Sequence, residues 1–324
     1  MNPVITIAKK EYLDAIKNKL FLILALFLIM LTVISIIVAS FDFQSKVADY
    51  NISVQILKNV GKEAEIPPMP EFYPLTMLRG VIDYLEIIGA IIGIILGYLS
   101  IAKEKGKKIL QLILSRPIKR SAIISGKIVG NSLLLLTVLL IVEIFIYFIT
   151  RGLGKVMFLP AEFLKLSLTL FLSYLYILFF YCLSSVLSIS IKSLPNALII
   201  IFAIWLIIVL IIPQIGDTMD PDNQISGGFF QSMQIAKPQE KEILAKFRTY
   251  ETTRNAIEES SVTKHYERTS FALLGIIPGY NGKNTGLIFH DEWKNIAWQL
   301  GYLVIALLFQ YTVLSNKNFI LGGD

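Results

Sequence analysis

Side chains able to do chemistry are few in this sequence and mostly stand alone. His290-Asp291-Glu292 is a run of three potential metal ligands, yet a single triplet of this kind reads more simply as the solvated start of a helix. Asp217, Asp220 and Asp222 around Pro221 approximate the early ligands of a calcium loop. The Gly and distal Glu that such a loop needs are missing at the required offsets, so a solvated turn is expected. Two His and the single Cys182 exclude a multi-His centre, a CxxC zinc or redox site and a disulfide framework. A phosphate-cradling Walker A loop needs G-x-x-x-x-G-K-[ST]. The Gly-Lys pairs at 61–62, 106–107, 126–127 and 282–283 have Ile56, Ile101, Ser121 and Ile277 where the first Gly should stand, so none qualifies.

Three acidic residues fall in or beside strongly apolar stretches: Asp83, Glu86 and Glu143. No two-carboxylate, Ser-Lys or His-rich constellation accompanies them, which argues against an intramembrane enzyme. Glu143 lies deepest and needs a polar partner or a wet cavity. Asn131, Gln299 and Gln310 are other polar groups in helices that could face it or the interface with a second subunit, and a substrate-path role and a helix-packing role are both open.

The elements that position these residues are dictated by composition. Of 324 residues, 55% are hydrophobic and only 17% charged, against roughly 25% charged in a soluble domain. A bilayer is the solvent this chain requires. A spanning helix takes about 20 mostly apolar residues, and six stretches come close: 20–40, 81–101, 128–150, 164–190, 196–213 and 296–314. The first exceeds the length of a signal-peptide core and lacks a clear cleavage site, so it is expected to be retained. With the N-terminus inside, the segments 1–19, 102–127, 190–195 and 315–324 hold 14 of the 30 Lys and Arg. That bias places both termini in the cytoplasm of a multi-pass cell-membrane protein. The net charge of +6 is thereby read as topology, and no nucleic-acid partner is implied. The expected class is an all-α polytopic membrane protein whose only large partner from composition alone is the lipid.

Outside the membrane, residues 41–80 are expected as an outer loop carrying Pro67, Pro68 and Pro70, an extended piece that packs as a strap or serves as a proline-recognition ligand. Residues 214–293 form a larger outer region. Within it, 238–268 reads as one or two amphipathic helices of mixed charge, and 271–278, Phe-Ala-Leu-Leu-Gly-Ile-Ile-Pro, as a short re-entrant segment ahead of the last span in 294–324.

On the inner side, residues 1–19 are expected to form an interface helix with Ile5, Ala8, Tyr12, Ala15 and Ile16 on one face and Lys9, Lys10, Asp14 and Lys17 largely opposite. The loop 102–127, between the second and third spans of the 20–213 block, is strongly basic. Ile109, Leu112 and Ile113 recur at helical spacing inside it, and Ser115-Arg116-Pro117 ends the run. Periodicity alone allows two fates for that short helix: lying on lipid with its lysines snorkelling, or docking in a groove of another protein.

A resemblance decides between them. Glu104-x-Gly106, Leu110-x-Leu112-x-Leu114-Ser115-Arg116-Pro117-x-x-Arg120 and Gly126-Lys127 resemble the signature of the type-2 exporter class of ABC transporter membrane subunits. The amphipathic start containing Lys10-Glu11, the six spans and the re-entrant element extend the likeness, which in layout is nearest to the sodium-efflux and nitrous-oxide-reductase maturation permeases. Lys107 departs from the Thr common in that signature, and the long outer segment is a second departure. The resemblance implies a non-catalytic permease subunit that pairs with a second permease subunit and rests on a separate ABC ATP-binding subunit, where ATP and magnesium are bound. It also implies roles: Glu104 caps or pairs at a cytoplasmic coupling helix, Ile109, Leu112 and Ile113 fill the ATPase groove, Gly106 and Pro117 are signature positions at its ends, and Arg116 and Arg120 make rim contacts. The alternatives are a membrane sensor or scaffold with a ligand-binding outer region and, behind it, an intramembrane enzyme.

Overall fold

The computed structural model describes residues 2–60, 73–106, 119–220, 229–235, 237–277 and 279–315. Their regular structure is all helix, with no strand among the described residues. Helix α1 (Pro3–Ile16) opens under the Asn2 side chain, which accepts a hydrogen bond from the Val4 amide at 3.1 Å. Six helices are long and apolar enough to cross a membrane: α2 (Lys19–Asn59), α3 (Pro74–Lys105), α4 (Arg120–Gly152), α5 (Pro160–Ser190), α6 (Leu194–Met219) and α12 (Trp293–Ser315). Between α6 and α12 lie α7 (Phe229–Ser232), α8 (Lys237–Lys246), α9 (Arg248–Glu259), α10 (Val262–Leu273) and α11 (Thr285–Asp291). The chain is therefore an all-α multi-pass membrane protein.

Each expected span is present but extended. The largest difference is α2, a helix of 41 residues that takes up 41–59 of the expected loop. At 1.5 Å per residue it is about 60 Å long, twice the hydrocarbon thickness. Neither Gly nor Pro occurs between Lys19 and Val60, so nothing in the chain stops it. The prolines at 67, 68 and 70 lie outside the described residues. Two spans contain a π-helical turn, Leu85–Gly89 in α3 and Leu206–Ile211 in α6. In α6 the turn runs just ahead of Pro213, which has no N–H to offer the preceding turn.

Helix α5 is the centre of the bundle: it is the most buried span and α6 the least. Close approach to α5 is set by glycine spacing on α3. A Cβ on Gly93 would lie 2.5 Å from the Ile177 carbonyl oxygen, and one on Gly97 only 2.3 Å from that of Tyr181. Helices in lipid associate through such contact, since burial from water does not drive them together. Ser184 adds a hydrogen bond to the Ile94 carbonyl at 2.6 Å.

At one end of the bundle, α1 packs along the first turns of α4. The face that is buried is centred on Ala8, Glu11 and Ala15, while Ile5 and Ile16 are exposed. Small residues win because Gly126 and Gly130 of α4 receive the helix: a Cβ on Gly130 would meet the Ala8 carbonyl oxygen at 2.5 Å.

At the opposite end the re-entrant element is also redefined. The segment that enters the bundle is α10, which packs against α5 and α12. Its first turn begins at Ser261, whose hydroxyl accepts from the Thr263 amide at 3.2 Å. Most of its buried side chains are polar: Thr263, Lys264, His265, Tyr266, Thr269 and Ser270. Phe271–Leu274, expected to begin the segment, form its buried end, and Pro278 lies outside the described residues. Most of these polar groups are matched by partners, the Ser270 hydroxyl being the exception among the described residues. Tyr266 and Ser173 hydroxyls meet at 2.8 Å, Thr263 and Tyr176 at 3.2 Å, and the Tyr176 and Tyr266 rings stack at 4.6 Å.

Candidate functional site

Four ionisable side chains converge where α1, the end of α3 and the start of α4 meet. The Lys127 ammonium donates to Glu11 Oε1 at 2.9 Å and to the Ser100 carbonyl at 2.8 Å, and pairs with Glu104 Oε1 at 3.0 Å. Those three acceptors match the three donors of an ammonium group. Lys10 approaches the same two carboxylates, at 3.1 Å from Glu104 Oε1 and 3.7 Å from Glu11 Oε1. The Lys127, Glu11 and Glu104 side chains are only 2%, 8% and 6% exposed, whereas Lys10 is 50% exposed. The three buried groups are thus held in low dielectric, where loss of one partner strands the charge of the others. Burial alone would lower the Lys10 pKa, but Glu104 and Glu11 outweigh it and hold the ammonium above its ordinary value.

The local sequence explains the geometry. Gly126 lets α1 lie against α4, where a Cβ would sit 2.7 Å from Ile7 Cβ, and the next residue, Lys127, then reaches across to Glu11. The second oxygen of Glu104, Oε2, is buried and meets no donor among the described residues. It adjoins a cavity of about 40 Å³ bordered by Lys10, Glu11, Ser100 and Asn131, with room for a water.

The two roots of the basic loop are tied further into the bundle. Lys105 donates to the carbonyls of Ser188, Ile189 and Ile191 at 3.1, 3.0 and 2.5 Å, capping the exposed C-terminal carbonyls of α5. Arg120 donates to the Ser315 carbonyl at 2.9 Å and caps α12. Lys103 donates to the Asp14 carbonyl of α1 at 3.3 Å. Whatever displaces the loop therefore displaces the ends of α1, α4, α5 and α12 together.

Of the residues singled out from sequence, Glu104 and Arg120 stand at this site, and Gly106 follows Lys105 at the end of the same helix. Glu104 pairs with Lys127 and Lys10 at the loop root. Arg120, expected at the rim of a partner, is engaged within the chain. Ile109, Leu112, Ile113, Arg116 and Pro117 lie outside the described residues. Sequence reasoning missed Lys127 and Glu11 as an ion pair, although both stood in the quoted Gly-Lys and Lys-Glu pairs. A buried lysine two turns into a span was the available signal.

Glu143 is elsewhere, on the flank of α4 towards the other end. Its carboxylate accepts a hydrogen bond from the Ser167 hydroxyl of α5. None of the three expected partners faces it. Asn131 donates to the Lys127 carbonyl and the Tyr181 hydroxyl, Gln299 to the Leu172 carbonyl, and Gln310 to the Ser185 hydroxyl, so all three join their helices to α5 or to α4 itself. The carboxylates near α12 are engaged as well, Asp291 with Lys283 at 3.4 Å and Glu292 with Tyr280 at 3.1 Å. Among the described residues no group of three His, Cys, Asp or Glu is arranged to hold a metal.

Among the described residues, six helices long and apolar enough to span a membrane, with the two roots of a basic loop joined by buried ion pairs to an N-terminal helix, define a multi-pass membrane subunit. The family model described as ABC-2 family transporter protein matches residues 5–319, and the chain belongs to that family. It is accordingly a permease component of an ABC transporter, a kind of subunit that is normally non-catalytic and works with an ATP-binding subunit. A search of curated proteins finds no match.

Proposed function

We propose that this chain is the membrane half of an ATP-driven exporter, and that it converts closure of a separate ATP-binding subunit into movement of the bundle through the loop 107–118. ATP and magnesium are bound by that partner. A second permease subunit completes the pathway, and the end of the bundle that carries α1 and the loop faces the cytoplasm together with both termini. The observation that carries this reading is the buried Lys127–Glu104–Glu11 network, which ties both roots of the loop to α1. Lys105 and Arg120 extend the tie to α5 and α12.

In this reading Ile109, Leu112 and Ile113 seat in the partner's groove, Arg116 contacts its rim, and Gly106 and Pro117 bound the docking helix. Glu104 keeps the root of that helix in register through Lys127. The interface helix and six spans are consistent with a layout like that of the sodium-efflux and nitrous-oxide-reductase maturation permeases, and no cargo follows from that likeness. Export is the direction implied by the resemblance of the 104–127 motif to the type-2 exporter class.

Co-purification with the partner ATPase tests the assignment. A charge reversal, Glu104→Lys, and a helix-breaking Leu112→Pro are both expected to abolish capture of the ATPase. Because Glu104→Lys also strands the charge of Lys127, folding of each variant is checked by size exclusion in detergent, and Leu112→Pro carries the test if Glu104→Lys does not fold. Retention of ATPase binding and stimulation in both variants would refute the assignment of the loop.

A further inference from the structure

We infer that the groove around Glu143 is a lateral binding site for lipophilic monovalent cations, reached from the lipid. The groove lies between α4 and α5, encloses about 530 Å³, and is walled by Leu140, Ile144, Tyr147, Phe148 and Phe163, with Glu143 among them. That volume falls within the range of small-molecule sites, about 300–1,000 Å³. Its walls are apolar and aromatic, and among the described residues that line it there is no Lys or Arg and one carboxyl group, that of Glu143.

Depth makes that charge informative. Glu143 is nine residues from the end of α4 at Gly152, about 14 Å along the axis. Arg151 lies two turns nearer the end, where a guanidinium belongs at headgroup level, and donates to the Tyr147 hydroxyl at 3.1 Å. The carboxylate is therefore at acyl-chain depth, with the Ser167 hydroxyl as its hydrogen-bond donor. The hydrogen-bond donor that meets this carboxyl group among the described residues is a neutral hydroxyl, so the acid's charge complement is left to whatever sits beside it in the groove, and a cation supplies it.

The rings supply the second half of cation recognition. Tyr147 meets Phe148 and Phe163 edge-to-face, with centroids 5.7 and 6.2 Å apart, so the three make a continuous aromatic wall beside the acid. Aromatic faces attract cations, and most strongly when water is excluded. Phe148 is 66% exposed to the surroundings of the bundle, which leaves the groove open sideways. The ligand defined by these walls has a bulky apolar body and one positive charge. As the place where cargo enters, the site rests on the exporter reading; as a binding site it does not.

The test uses the full chain alone in nanodiscs of zwitterionic lipid, with tetraphenylphosphonium binding measured by equilibrium dialysis against empty nanodiscs. Saturable binding is expected, weakened about tenfold or more in Glu143→Gln, as loss of a countercharge at low dielectric implies. Phe148→Ala, an exposed position that folding does not need, is expected to weaken it about threefold or more. The anion tetraphenylborate, matched in shape, should show no preference for the unsubstituted chain over Glu143→Gln. Absence of saturable phosphonium binding, or equal affinity in folded Glu143→Gln and Phe148→Ala, would overturn the proposal. Absence of such binding together with loss of self-association in Phe148→Ala would assign the groove to a second copy of the chain, and overturn it too. Because no ATPase is present, failure here leaves the coupling assignment standing, and failure of ATPase capture leaves this site standing.

Discussion

Lys127 and Glu104 lie 23 residues apart in the chain and 3.0 Å apart in space, so the two ends of the basic loop are closed on each other by a buried ion pair. The pair is not isolated, because Glu11 shares the same ammonium at 2.9 Å. Its stability consequences follow from burial.

Removing Lys127 leaves Glu11 and Glu104 facing each other with only the half-exposed Lys10 between them. Lys127→Met is expected to destabilise the chain by about 3–5 kcal/mol, the usual cost of stranding a buried charge. Lys10→Ala, at a side chain 50% exposed, should cost under about 1 kcal/mol. Denaturant unfolding in detergent compares the two, and equal effects would contradict the burial argument.

The helix contact between α3 and α5 makes a separate prediction. Gly97→Ala places a methyl group 2.3 Å from the Tyr181 carbonyl oxygen, a backbone atom that cannot swing aside. Gly152→Ala, where nothing lies within 4 Å, is the matched control. Thermal unfolding should show Gly97→Ala destabilised by about 1–3 kcal/mol, as for other overpacked positions, with the control near zero.

How much of this was legible in the sequence depends on what carried the signal. The six spans were readable because 20 apolar residues in a row have one meaning. Their ends were not, since α2 continues past its apolar stretch simply for want of a Gly or Pro to stop it. The burial of helix α10 escaped notice for the opposite reason: Lys264, His265 and Tyr266 look solvated until Asp217, Asn295 and Ser173 are brought to them by tertiary packing. Glu104 was singled out through a signature, but its partners lie in α1 and α4, and side-chain pairing across helices leaves no local periodicity. Glu143 was visible as an anomaly, while its aromatic surround depends on Phe163 of the next helix.

The end of the bundle formed by α10 and α11 carries its own pH dependence. Burial alone would lower the Lys264 pKa, but Glu267 and Asp217, at 2.9 and 2.8 Å, raise it above 10.5. Burial, with Glu292 beside it, pushes the Tyr280 hydroxyl up to about 12. Both groups hold their protons more tightly folded than unfolded. Their contribution is complete below the unfolded values near 10 and is lost as pH rises through the folded ones. Trp298 stacks on His265 of α10, with rings 6.0 Å apart. Its fluorescence, in a chain with Trp205 and Trp293 replaced by Phe, should be constant from pH 7 to about 10 and shift between about 10 and 12. A transition confined below pH 9 would contradict the assignment.

The most direct test of the account is ATP turnover by the partner subunit reconstituted with the permease in liposomes. Lys127→Met keeps the docking loop and removes its anchor. The account predicts that this variant still captures the ATPase but loses permease-dependent stimulation by about tenfold or more, equivalent to about 1.4 kcal/mol, while Lys10→Ala stays near the unsubstituted rate. A folded Lys127→Met permease that stimulates turnover as well as the unsubstituted chain would contradict it.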